Sequence, residues 1–68
     1  MKQEIVALLD REPFSPFRIK LVNGDAHDVS DPSIAAPLQR SLYLAPHDGE
    51  WVEFRYNRIA SLESLLEF

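Results

Sequence analysis

The stretch Phe17-Arg18-Ile19-Lys20-Leu21-Val22-Asn23-Gly24-Asp25-Ala26-His27-Asp28-Val29 decides the fold. Phe17, Ile19 and Leu21 alternate with Arg18 and Lys20, the period-two pattern of a half-buried strand. Asn23-Gly24 is a turn signal, and the length of the loop follows from the partners it creates. A two-residue Asn-Gly loop sets Ile19 against Asp28 on the apolar face. A three-residue loop, Val22-Asn23-Gly24, places Gly24 where a left-handed backbone is required. It pairs Ile19 with His27, Phe17 with Val29 and, on the opposite face, Arg18 with Asp28. Opposite charges then meet across the strands and the apolar set stays together, so this second register is expected.

The same logic extends toward the C-terminus. Leu42 and Leu44 alternate within Arg40–Ala45, and His47-Asp48-Gly49 repeats the turn chemistry of the first hairpin. That loop pairs Leu44 with Val52, Leu42 with Phe54 and Arg40 with Tyr56. Trp51, Glu53 and Arg55 then point outward, with Tyr43 opposite Glu53. Between the hairpins, Ser30 to Gln39 is irregular and holds Pro32 and Pro37. Asp31-Pro32 reads as an N-cap followed by a proline at the first helical position, which predicts one helical turn over Ser33–Ala36. Asn57-Arg58 reads as a tight turn. Beyond it, Ile59–Glu63 fits a strand, while Ile59, Leu62, Leu65 and Leu66 also fit a helical stripe.

Toward the N-terminus, Met1, Ile5, Leu8 and Leu9 recur at helical spacing. This predicts an amphipathic helix over about residues 2–11. Pro13 disfavours helical dihedrals at Glu12 and stops it. The stiff connector Glu12-Pro13-Phe14-Ser15-Pro16 carries Phe14 into the gap between helix and sheet.

A chain of 68 residues makes one domain, residues 1–68, with a small core. With no cysteine, disulfides and thiolate metal sites are excluded, which leaves oligomerisation as the expected source of added stability. No apolar run approaches a membrane span. Met1-Lys2-Gln3-Glu4 lacks a signal-peptide pattern, so a cytoplasmic location is expected and no membrane partner. The net charge of −4 opposes nucleic acid at long range unless the scattered cations form a local basic surface.

Two resemblances bear on architecture. Phe17-Arg18-Ile19-Lys20-Leu21-Val22-Asn23-Gly24 is similar to the first strand and turn of the bacterial Sm-like host-factor family. Tyr56-Asn57-Arg58-Ile59-Ala60-Ser61 is similar to its turn between the last two strands. The chain more closely resembles a set of uncharacterised small bacterial proteins with a Phe-x-Pro-Phe-Arg-Ile start, a Gly turn and an acidic-or-His-Pro step. Here these are Phe14 to Ile19, Gly24 and Asp31-Pro32. The resemblance implies a mainly β fold of the Sm/SH3-like kind. An N-terminal α-helix precedes a small, strongly twisted, five-stranded antiparallel barrel, with strands at about 17–22, 25–30, 40–45, 50–56 and 59–63. It resolves the tail in favour of a strand. The chain departs from the host-factor pattern at Asn57-Arg58, where that family has a Lys-His pair. The second strand also lacks the bending glycine.

These readings lead to a non-catalytic interaction module that self-associates through open strand edges. Trp51, Tyr43 and Arg55 share the face opposite the core, and exposed aromatics beside Arg are typical of interaction hot spots. The alternative is an Sm-like ring binding RNA. The resemblance implies that Tyr56, Asn57 and Arg58, with Gln3 on the helix, would then ring a pore. A remote alternative is a divalent cation clamped by Asp25 and His27 on one strand face. Ordinary roles compete for those residues: Asp25 ends a turn, Asp28 pairs with Arg18 and Asp31 caps a helical turn. His47-Asp48 sits in a hairpin tip with little enclosure for catalysis. No cofactor-cradling loop can be built from two glycines already assigned to turns, and no enzymatic activity is expected.

Overall fold

A computed structural model describes residues 1–46 and 49–65. Helix α1 spans Lys2–Asp10, and Arg11 takes an extended backbone ahead of Pro13. Nine residues are too few for a stable isolated helix. Its stripe therefore docks: Ile5 is fully buried, Leu8 and Leu9 pack against the same core, and the helix lies against β3 (Ala35–Pro37). Phe14 joins that core, its ring 6.1 Å from that of Phe17.

The first hairpin joins β1 (Phe17–Leu21) to β2 (Ala26–Val29). Its register pairs Phe17 with Val29, Arg18 with Asp28 and Ile19 with His27. Gly24 has φ +97°, the left-handed backbone that the three-residue loop demands. Leu21 N–H donates to Asp25 O at 2.8 Å and Gly24 N–H to Leu21 O at 3.1 Å, closing the turn.

The segment after β2 differs from expectation. Asp31 caps a short 3-10 turn, Pro32–Ile34, its carboxylate accepting from Ser33 N–H at 2.8 Å. The chain then runs straight into β3, so Ala35 and Ala36 belong to a strand rather than to a helical turn. The described residues thus form six strands rather than five. A β4 strand (Ser41–Leu44) and β5 (Val52–Arg55) form the second hairpin. It pairs Leu44 with Val52, Leu42 with Phe54 and Tyr43 with Glu53. Of its turn, His47-Asp48-Gly49, the first two residues lie outside the described residues. A second 3-10 turn, Tyr56–Arg58, delivers the chain into β6 (Ile59–Ser64).

The ladders form two antiparallel sheets, β2-β1-β6 and β3-β4-β5. Among the described residues no ladder joins the two sheets, and no closed barrel is found. Their inner faces enclose Ile5, Phe17, Ile19, Leu21, Val29, Ile34, Leu42, Leu44 and Ile59. At about 25 cal/mol per Å² of apolar area, a core of this size stabilises a chain of this length only marginally. Among the described residues no helix is long and apolar enough to cross a membrane.

Candidate functional site

Because the sheets are not closed by a ladder, a seam remains between β2 and β5. His27 stands on the inner face of one sheet, opposite Ile19, and Phe54 on the inner face of the other, opposite Leu42. Their rings stack with centroids 5.4 Å apart. A cleft of about 780 Å³ opens at this pair. The first hairpin supplies one wall through Leu21, Asn23, Asp25 and His27; Phe54 and its neighbours on β5 supply the other. Arg40, Arg55 and Arg58 also line it. Backbone bonds tie these arginines into the frame. Tyr56 N–H donates to Arg40 O at 3.3 Å, and Val22 N–H donates to Arg58 O at 2.8 Å. A smaller cleft, about 330 Å³, lies against His27 and Val52 with Arg18, Asp28 and Glu50.

Ion pairing divides the cations sharply. On the outer face of the first sheet Arg18 holds Asp28 through two contacts, Nε–Oδ1 at 2.7 Å and Nη2–Oδ2 at 3.2 Å. Lys20 Nζ lies 3.0 Å from Glu63. Hydrogen bonding to Arg18 holds the Asp28 carboxyl below its ordinary value, and the same bond raises Arg18. Arg40, Arg55 and Arg58 make no ion pair among the described residues. Two carboxylates share their cleft, and both have other partners. Asp25 accepts from Asn23 Nδ2 at 3.2 Å, and Glu53 accepts from Ser41 Oγ at 2.7 Å.

The outer face of β4-β5 carries the second feature. Tyr43 and Trp51 stack with centroids 5.3 Å apart, and Trp51 is 63% exposed. Arg55 follows on that face opposite Ser41, separated from Trp51 by the Glu53–Ser41 bond. The structure thus brings Tyr43 and Trp51 into contact and sets Arg55 further along, at the rim of the cleft.

The remaining residues singled out in the sequence have ordinary surroundings. Tyr56 is half-buried against the core; its hydroxyl donates to Leu38 O at 2.6 Å, and burial pushes its phenol up. Asn57 and Arg58 are exposed in the 3-10 turn, and Gln3 is exposed on α1. Asp25 and His27 line one cleft, but among the described residues no three His, Cys, Asp or Glu side chains gather to hold a metal ion. Sequence reading missed Arg40 as a cleft residue. Its pairing opposite Tyr56 was the available signal, because it sets Arg40 beside the turn that carries Arg58.

Comparison with protein-family models, with curated proteins and with solved structures found no match to this chain.

Proposed function

We propose that this chain is a non-catalytic interaction module, a small Sm/SH3-like barrel in kind, that self-associates through its open strand edges. The observation that carries the reading is the exposed Trp51 stacked on Tyr43, on a sheet whose two edge strands, β3 and β5, each pair with β4 alone among the described residues. An unpaired strand rim is a template for another strand. A rigid aromatic pair next to it supplies the anchor that concentrates binding energy. The barrel-like path is supported by the two 3-10 turns that swing the chain from one sheet to the other, after β2 and after β5. Pairing of rims between copies would also enlarge a core too small to be secure alone.

The test is native mass spectrometry of the purified chain at modest salt, beside Trp51→Ala. A closed oligomer that dissociates in the variant supports the reading. A monomer at every concentration overturns it. Trp51 is 63% exposed, so its replacement costs the monomer at most the stack on Tyr43, about 0.5–1.5 kcal/mol, and an unfolding curve of the variant confirms that the compared chains are both folded.

A second reading, an Sm-like ring binding RNA, is favoured by the placement of Arg55 and Arg58 at one cleft. Against it stand the acidic chain and the Tyr56 hydroxyl already spent on Leu38 O. Salt-sensitive binding of oligouridylate, weakened by Arg58→Gln, is the result this second reading requires.

A further inference from the structure

We infer that the cleft at the His27–Phe54 stack is a binding site for a small phosphate ester carrying a planar ring. The inference does not rest on self-association. It begins with a charge distribution that runs against the rest of the chain. The net charge is −4, yet three arginines without an ion pair among the described residues line one cleft. Arg18 and Lys20 are neutralised by Asp28 and Glu63. The other two cations, Lys2 and Arg11, belong to α1 and its C-cap and do not line the cleft.

The three arginines come from separate parts of the chain: the approach to β4, the end of β5 and the turn before β6. Three arginines gathered at one cleft can offer more donors than a planar carboxylate uses, which one or two forks satisfy, and so suit a tetrahedral dianion better. The two acids in the cleft are engaged by Asn23 and Ser41. They make the cleft only weakly positive, by one charge, three arginines against Asp25 and Glu53. That balance favours one phosphoryl group over a polyanion. The stacked His27 and Phe54 rings add an aromatic wall against which a flat organic group can lie. The volume, about 780 Å³, is in the range of small-molecule sites.

The test is an NMR titration of the labelled full chain, reading the side-chain Nε–Hε signals of its five arginines. The probes are adenosine monophosphate, inorganic phosphate, succinate and oligouridylate, at low salt. Saturable shifts of Arg40, Arg55 and Arg58 with adenosine monophosphate are expected, with Arg11 and Arg18 unmoved. Phosphate binds more weakly for want of the ring, and succinate more weakly still. In Arg40→Gln/Arg58→Gln the affinity falls about tenfold or more while the folded amide spectrum persists. Uniform, non-saturating shifts of all five arginines overturn the inference, as does equal affinity for succinate. A response to oligouridylate alone assigns the cleft to RNA instead. Trp51→Ala leaves this titration unchanged, so loss of the oligomer and loss of the anion site are separable results.

Discussion

His27 and Phe54 stack across the seam between the two sheets, ring centroids 5.4 Å apart and planes 16° from parallel. Among the described residues no ladder crosses there, so a side-chain pair makes the contact between the two sheets. Aromatic pairs contribute about 0.5–1.5 kcal/mol beyond the area they bury. A double-mutant cycle of His27→Ala and Phe54→Ala, measured by urea unfolding, is therefore expected to return a coupling of about 0.5–1.5 kcal/mol. Strict additivity would show that the rings touch without holding the sheets together.

Gly24 holds φ +97°, and a side chain built there meets nothing within 4 Å. Space is free, so the cost of Gly24→Ala comes from the backbone alone. A left-handed Ala costs about 1–2 kcal/mol. The variant is expected to unfold at lower denaturant by that amount, with an unchanged slope. An effect near zero would mean that the turn relaxes to another type.

How legible this architecture was depends on what carries each part. The first hairpin was readable because a single glycine and a period-two pattern fix both loop length and register, down to Arg18 facing Asp28. Strand β3 was not. Ala35-Ala36-Pro37 offers no alternation and contains a proline, tolerated because β3 is an edge strand that, among the described residues, pairs with β4 alone. A 3-10 turn separates β2 from β3, so the chain passes from one sheet to the other without a continuous strand, and among the described residues no ladder joins the sheets. The Tyr43–Trp51 face followed from alternation along β4 and β5. The arginine-lined cleft did not, because residues 40, 55 and 58 meet only through the packing of two sheets.

Tyr56 joins the turn after β5 to the loop before β4 through its bond to Leu38 O, 2.6 Å long. Burial disfavours its phenolate and raises its pKa above the ordinary value. A group raised in the folded state contributes stability that is complete below its unfolded pKa. That contribution is lost as pH rises through the folded value. Stability is therefore expected to fall on the alkaline side, beyond about pH 10. Tyr56→Phe removes the hydrogen bond, costing about 0.5–1.5 kcal/mol at neutral pH, and also removes this part of the alkaline decline. Unfolding curves of both chains across the alkaline range check both halves. An alkaline limb unchanged in the variant would assign the decline elsewhere.

The acid limb belongs to Asp28. Its hydrogen bonds to Arg18 depress its pKa in the folded chain, so the pair stabilises above the unfolded carboxyl value of about 3.9. The contribution is lost as pH falls through the lower, folded value. Both side chains are substantially exposed, 39% for Arg18 and 49% for Asp28, and water and salt screen them. The contribution is accordingly small and salt-sensitive. Asp28→Asn and Arg18→Gln are each expected to flatten the acid dependence of stability to the same extent, and added salt narrows the gap from the parent chain. The two variants share one interaction, so the double variant flattens it no further. If Asp28→Asn leaves the acid limb as steep as before, the pair seen in the folded chain carries no linkage.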